Sequence, residues 1–376
     1  MRVLDLSRLL PGPYCSRVLA DLSFEVIKIE PPGGGDWARY APPLDPETGQ
    51  GLLFQHLNRG KKSFTANLKA EEGRAILLKL VETADVLLES FRPGVMERLG
   101  LGYETLAQAN PRLVYCSLSG YGPAGPYRER AGHDLNYQGL AGVLDLTGPR
   151  DGPPSMPGVP LADLSGALWA ATGILAALLE REKSGTGQRV DSSLLGGALS
   201  FLPLAVAQWK SGGLPARSAG ELSGGTICYN LYETRDGGYM SLSALEPEFW
   251  ATFCQAVGRD DLIGQQYARA LPGEPAYDQL CALFLTRTRS EWLKALAGAD
   301  ACCDPVYSIG ETLGSAPVQA LDMLTDEGLR PPVQFAGRQV RATSPAPRLG
   351  EHTAALLAEL GYDSARVEEL QGRGIV

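Results

Sequence analysis

The side chains able to do chemistry are few, and their spacing excludes more than it offers. The 376-residue chain holds three histidines (His56, His133, His352) and seven cysteines. No H-x-x-x-H, H-E-x-x-H or C-x-x-C occurs, so neither a histidine-based metal site nor a dithiol motif is expected. An odd number of cysteines, with Cys302 and Cys303 adjacent, reads as free thiols in a reducing compartment. There is no G-x-G-x-x-G and no G-x-S-x-G. Gly60-Lys61-Lys62-Ser63 has the end of a phosphate loop without its leading glycine. Nucleotide-dependent redox, phosphoryl transfer and serine hydrolysis all lose support. Gly33-Gly34-Gly35-Asp36 is either a surface loop or a loop whose backbone approaches a ligand. Arg39, Arg59, Lys61, Lys62, Arg92 and Arg98 form either a solvated face or a surface for a polyphosphate. Taken singly, Asp163 reads as a helix N-cap, His133 as a hydrogen-bonding residue at a loop–helix junction, and Glu246, before Pro247, as a helix-start carboxylate.

The elements that must position these residues alternate in the first third. Strand patterns at 3–6, 24–29, 64–68, 86–89 and 113–119 are separated by helical patterns such as 14–22 and 71–83. Such spacing predicts βαβ units and a parallel sheet with helices on both faces. Five prolines between Gly148 and Pro160 make that stretch a rigid loop. An apolar helix is expected over 162–183, ended by Gly185 and Gly187, and a second buried helix over 194–210. Residues 217–225 turn small and polar, as a linker does. Beyond them, 227–234 and 239–243 flank Asp236-Gly237-Gly238, a hairpin signal, and helical patterns follow at 247–257, 277–286 and 290–297. These make a second, α+β domain, and a last helix is expected over 352–360.

Composition narrows the class. With 34 Lys+Arg against 43 Asp+Glu the net charge is −9, and 44% of residues are hydrophobic, an ordinary soluble mix long enough for about two domains. The 45 glycines and 27 prolines follow no G-X-Y period, so the chain is loop-rich rather than fibrous. An acidic chain without a Lys/Arg-rich run predicts no nucleic-acid partner. The apolar run 167–179 is too short to span a bilayer, 194–209 is broken by Pro203, and the N-terminus lacks a signal-like apolar core. The expectation is a cytoplasmic protein with no membrane partner.

Six segments, in order, resemble the class III CoA-transferase superfamily, also called the CaiB/BaiF family. They are Val3-Leu4-Asp5-Leu6-Ser7 with Pro11-Gly12-Pro13, Phe24-Glu25-Val26-Ile27-Lys28-Ile29-Glu30-Pro31-Pro32-Gly33, and Leu57-Asn58-Arg59-Gly60-Lys61-Lys62-Ser63. The others are Phe91-Arg92-Pro93-Gly94-Val95, Leu118-Ser119-Gly120-Tyr121-Gly122, and Gly185-Thr186-Gly187-Gln188-Arg189-Val190-Asp191. The resemblance implies an α/β fold. A large Rossmann-like, CoA-binding domain (1–215) would have a parallel sheet built from both termini, a smaller α+β domain would span 226–315, and 316–376 would return to the large domain. It also implies an interlocked homodimer, an acyl-CoA substrate, and no cofactor beyond the CoA moiety and no metal. CoA then becomes the owner of the basic residues. The implied CoA contacts are Ala66, Asn67, Leu68 and Lys69; Ser90, Phe91, Arg92 and Arg98; and Gly132, Asp134, Asn136 and Tyr137.

Family members divide into CoA-transferases and α-methylacyl-CoA racemases. Gly132-His133-Asp134-Leu135-Asn136-Tyr137 is similar to the racemase signature, whose His transferases typically lack. Asp163 matches the reactive Asp of both branches, and Ala244-Leu245-Glu246-Pro247-Glu248-Phe249 resembles the racemase segment whose Glu orients the catalytic His. Two features are transferase-like: Pro31 stands where racemases often carry a CoA-contacting Arg, and the loop to Arg59 is longer. The racemase resemblance implies an isomerase that epimerises the α-carbon of 2-methylacyl-CoA thioesters. His133 and Asp163 would serve as reciprocal bases on the two faces, with Glu246 as the orienting group. For that role the Asp163 carboxylate needs its pKa raised by an apolar pocket, whereas a helix N-terminus favours the anion. That terminus is also a candidate holder of the enolate oxygen. The alternative is a CoA-transferase in which Asp163 is the nucleophile and forms an aspartyl-CoA thioester. A third is a non-catalytic CoA-binding protein.

Overall fold

Strands covered by helices on both faces must be apolar almost throughout, and the short strands of the N-terminal third are buried along nearly their whole length. The computed structural model describes residues 1–325, 328–337 and 344–376. Strands β1 (Arg2–Asp5), β2 (Glu25–Glu30), β3 (Lys62–Thr65), β4 (Val86–Glu89), β5 (Val114–Ser119) and β6 (Arg189–Ser193) pair in parallel in the order β3-β2-β1-β4-β5-β6. This is the doubly wound order. The chain reverses direction between β1 and β4, and the crevice outside their carboxyl ends is where such sheets take ligands.

Helices α1 (Pro11–Asp21), α2 (Leu52–Asn58), α3 (Glu71–Glu82), α4 (Val95–Arg98), α5 (Tyr103–Ala109) and α6 (Asp134–Ala141) follow the strands. A single turn, α7 (Val143–Leu146), leads to the proline-rich loop. The helix α8 (Leu161–Ser184) then runs 24 residues to Gly185, whose φ of 78° ends it, and packs on β5 and β6. Its length and composition would suffice to cross a bilayer, which the run 167–179 alone does not suggest, but half of its apolar window is buried within the protein.

Two compact units result. The first holds Met1–Val143, Gly158–Phe201 and Leu321–Val376; the second holds Leu144–Pro157 and Leu202–Ala320. Segments 144–157 and 202–215, expected in the large domain, thus group with the second unit. The first unit does draw on both ends of the chain, with a correction: every strand of its sheet lies between residues 2 and 193. The C-terminal return supplies helices instead, α16 (Thr353–Glu359) and α17 (Ser364–Gly372), together with the tail residues Ile375 and Val376, which join the core around Leu4, Ile27 and Leu77. Helix α17 escaped the sequence reading because only Val367 and Leu370 of it are buried.

The expected single helix 194–210 is two: α9 (Leu194–Leu199) and α10 (Pro203–Lys210). Pro203 lacks the N–H that would continue the first and begins the second. Nor is it all buried, since α10 buries no residue at all. In the second unit the hairpin β7 (Tyr229–Glu233) and β8 (Tyr239–Ser243) turns at Asp236-Gly237-Gly238, and β9 (Cys303–Pro305) adds antiparallel to β8. Helices α11 (Pro247–Ala256), α12 (Pro275–Phe284) and α13 (Arg289–Ala295) bury Trp250, Phe253, Phe284 and Trp292 with this sheet. Short helices α14 (Ile309–Gly314) and α15 (Ala316–Ala320) close the unit. All seven cysteines are free thiols.

Candidate functional site

The helix that carries Asp163 has no cap of its own. Pro160 precedes α8 without a side chain that accepts, and Asp163 sits in the first turn rather than at the N-cap position. The cap comes from α6: Asp134 Oδ1 accepts the backbone N–H of Ala162 at 2.8 Å and of Asp163 at 3.1 Å. One carboxylate thereby satisfies two orphan donors and ties the first turns of α6 and α8 together. Those donors are occupied, so this end of α8 is not the open oxyanion cradle that the sequence suggested.

His133 is the residue before α6, with its side chain exposed. Its backbone N–H donates to Asn136 Oδ1 at 3.0 Å. Behind it, Tyr137 Oη donates to the Gly132 carbonyl at 2.7 Å. A Cβ on Gly132 would stand 2.6 Å from Tyr121 Oη and 2.9 Å from the Tyr137 ring, so only glycine lets the chain pass here on its way to His133. His133 and Asp163 both open on one cavity of about 590 Å³ in the first unit, lined also by Ser90, Arg92, Gly132 and Tyr137. Burial, and next the charge of Asp134, push the Asp163 carboxyl up to about 7. Burial likewise raises the Tyr137 phenol to about 12.

A second cavity, of about 720 Å³, lies at the carboxyl ends of β1 to β4 and is lined by Gly33, Ala66, Asn67, Leu68 and Lys69. Arg8 and Phe91 line both, and the guanidinium of the first stacks 5.4 Å from the ring centre of the second. They sit on the two loops that flank the reversal between β1 and β4. The loops are joined by a bond from the Arg8 N–H to Ser90 Oγ (3.3 Å), and Glu89 Oε2 accepts the Phe91 N–H at 2.7 Å.

The implied CoA contacts therefore divide. Ala66, Asn67, Leu68 and Lys69 line the larger cavity, Ser90, Arg92, Gly132 and Tyr137 the smaller, and Phe91 both. Asp134 and Asn136 instead spend their side-chain oxygens on helix N-termini, and Arg98 lines neither cavity. Arg8, Arg128, Arg130 and Tyr121 line the smaller cavity and were missed. A signal existed: Arg8 lies between the first strand and Pro11, and the two other arginines between Tyr121 and Gly132. Four of the six cations read as a polyphosphate surface are engaged elsewhere. Arg39 pairs with Glu30 (2.6 Å), Lys61 with Asp5 (3.2 Å), Arg59 with Asp21 (3.8 Å) and Lys62 with Glu25 (2.6 Å). The Gly33–Asp36 stretch is mixed: Gly33 faces the larger cavity, whereas Asp36 is buried against Lys28 at 3.0 Å.

The family model described as CoA-transferase family III matches residues 1–353. The chain belongs to CoA-transferase family III. It is 36% identical over 392 residues to alpha-methylacyl-CoA racemase of Mus musculus, covering 100% of this chain and 96% of that one. It is 35% identical over 399 residues to an acyl-CoA transferase of Fusarium pseudograminearum, covering 100% and 87%. A solved CaiB/BaiF family protein from Brucella suis superposes with a TM-score of 0.83 at 33% identity, covering 96% of this chain and 98% of that one. A family III chain with relatives of both names is an enzyme of the racemase or transferase type. Of the three residues matched to the racemase pattern, His133 and Asp163 meet at one cavity of the first unit, and Glu246 stands exposed in the second, as the N-cap residue of α11.

Proposed function

We propose that this family III enzyme is an isomerase that epimerises the α-carbon of 2-methylacyl-CoA thioesters by enolisation. The supporting observation is that an imidazole and a carboxyl raised to about 7 share one cavity. A group with that pKa both takes and returns a proton near neutrality, and a stereocentre is inverted only if one group removes the proton and another delivers one to the opposite face. His133 and Asp163 exchange these roles with direction. Arg8 and Arg92 face the cavity and favour the negative charge that develops on the thioester oxygen. The CoA nucleotide fits the larger cavity beside Lys69, with the pantetheine arm passing Phe91 into the smaller. Arg98 Nη1 and Arg128 Nη2 lie 3.1 and 3.8 Å from the point where a Cβ of Gly94 would stand, a convergence suited to a phosphate. Glu246 is the proposed orienting group. Free thiols fit a cytoplasmic location and exposed apolar helices fit an interlocked homodimer, and both are part of this proposal.

Incubation of 2-methylacyl-CoAs in heavy water tests the reading: deuterium enters the α-carbon, and His133→Ala and Asp163→Asn each abolish its entry. Absence of α-deuterium from every such thioester overturns it. The acyl-CoA transferase relative and the transferase-like loop after Pro31 favour a second reading. There the Asp163 carboxylate attacks the thioester carbonyl and expels CoA thiolate, leaving a mixed anhydride. The thiolate then attacks the aspartyl carbonyl, releasing the first acid and leaving an aspartyl-CoA thioester that an acceptor acid reopens. Acyl transfer that requires a free acid, with a borohydride-trapped adduct at Asp163, selects this reading over the first.

A further inference from the structure

The smaller cavity carries more positive charge than an acyl-CoA with an uncharged acyl group uses. Four guanidiniums line it, from Arg8, Arg92, Arg128 and Arg130, against the single carboxyl of Asp163. Arg8 belongs to the junction with the larger cavity, Arg92 is on the Phe91 loop, and Arg128 converges with Arg98 over Gly94. Arg130 has none of these engagements. Among the described residues it forms no ion pair and no side-chain hydrogen bond. Yet it is held. Its N–H donates to the Tyr127 carbonyl at 2.9 Å, which turns the chain back so that its guanidinium lies 4.6 Å from the Tyr127 ring centre. Tyr127 meets Tyr121 edge-on at 5.5 Å, and Tyr121 meets the buried Tyr137 edge-on at 5.0 Å. Tyr137 is the residue whose hydroxyl fixes the Gly132 carbonyl, immediately before His133. The same aromatic ladder thus positions the imidazole at one end and a free guanidinium at the other.

We propose that Arg130 receives a second carboxylate, at the end of the acyl group remote from the thioester, so that the substrate is the monothioester of a short dicarboxylic acid. This rests on the acyl-CoA reading above and adds the substrate class to it. A planar guanidinium presents two parallel N–H donors that match a carboxylate, and the tyrosine stack beneath leaves its edge directed for that contact. A neutral alkyl end offers nothing in return for covering the cation, so the discrimination is against the neutral analogue rather than for extra chain length.

The matched probes are 2-methylbutanedioyl-CoA and 2-methylbutanoyl-CoA, which share a carbon skeleton and differ by one carboxylate. In α-deuterium exchange the wild-type kcat/KM ratio is expected to favour the dicarboxylic thioester by about 10- to 100-fold, the range of one hydrogen-bonded charge pair. Arg130→Gln brings the ratio near one, and Arg130→Lys, which keeps the charge without the fork, leaves it intermediate. A wild-type ratio near one, or a ratio that survives Arg130→Gln, overturns the proposal. Equilibrium binding of both thioesters to the Asp163→Asn chain, with and without Arg130→Gln, reads the same preference without turnover. If no thioester exchanges its α-proton but this binding preference follows Arg130, the enolisation reading falls and the substrate class stands. Free butanedioic acid bound as tightly as its thioester places the site with a free acid and overturns the thioester assignment.

Discussion

Asp134 acts on Asp163 in two ways. By accepting the N–H groups of Ala162 and Asp163 it takes up the positive end of α8 that would otherwise favour an Asp163 anion, and its own charge then repels that anion. The sequence left open whether burial or the helix terminus decides the state of Asp163. With the terminus claimed by Asp134, burial decides, and the carboxyl rises to about 7. If Asp163 is the base in one direction, kcat/KM in that direction rises with pH through about 7. In Asp134→Asn the amide oxygen still caps α8 but the charge is gone, so the rising limb moves to lower pH; an unmoved limb in the pH–rate profile removes Asp134 from the account. The same shift carries a stability cost with a definite sign. A carboxyl whose folded pKa lies above its ordinary 3.8 holds its proton more tightly when folded, a contribution complete below about 3.8 and lost as the pH rises through about 7. Above that, an ionised Asp163 works against the fold. Asp163→Asn should therefore raise the melting temperature at pH 8, with the gain shrinking steadily toward pH 4, while proton exchange is lost. Equal melting curves at pH 8 would count against the shift.

Among the elements, the loops at the sheet's carboxyl edge show what local pattern reveals and what it hides. Strand spacing, the Gly185 stop of α8 and the hairpin at Asp236-Gly237-Gly238 were legible because each depends on neighbours in sequence. The destination of Lys61 was not. Gly60-Lys61-Lys62-Ser63 has a phosphate-loop ending, and nothing local says that Lys61 turns inward while Lys62 stays half-exposed beside Glu25. The buried Lys61 ammonium donates to Asn58 Oδ1 (2.8 Å), Ser16 Oγ (2.7 Å), the Pro13 carbonyl (3.0 Å) and Asp5 Oδ2 (3.2 Å), binding β1, α1 and α2 at one point. Its partners come from segments as much as 56 positions away, a distance that periodicity does not reach. Removing it leaves Asp5 buried and unpaired, so Lys61→Met should cost about 3–5 kcal/mol in denaturant unfolding. A phosphate ligand would behave oppositely, with weakened CoA binding and an unchanged unfolding midpoint.

For the whole molecule, apolar surface is left over that neither unit covers from within. In the first unit α8 and the α9 end expose Trp169, Leu179, Leu199 and Phe201, with Leu179 66% exposed. In the second, α10 buries nothing and exposes Leu204 and Trp209. A helix of eight residues is marginal in water by its own hydrogen bonds and owes its stability to packing. Monomers seldom leave contiguous apolar faces of this kind in solvent. The sequence pattern marked 162–183 and 194–210 as apolar and assigned both to the interior, because hydrophobicity alone does not distinguish a core from an interface. A second copy of this chain is the proposed cover, in line with the interlocked arrangement that the family resemblance implies. The expected outcome in sedimentation equilibrium at micromolar concentration is twice the chain mass of 40.1 kDa. Trp169→Glu with Leu179→Glu places two charges on the exposed side of α8, away from Ala170 and Ile174, which stay buried. That variant should keep its helical circular dichroism yet shift toward the single-chain mass. A wild-type chain that sediments as one copy, or a double variant that still sediments as two, would show that these side chains face water or another surface instead.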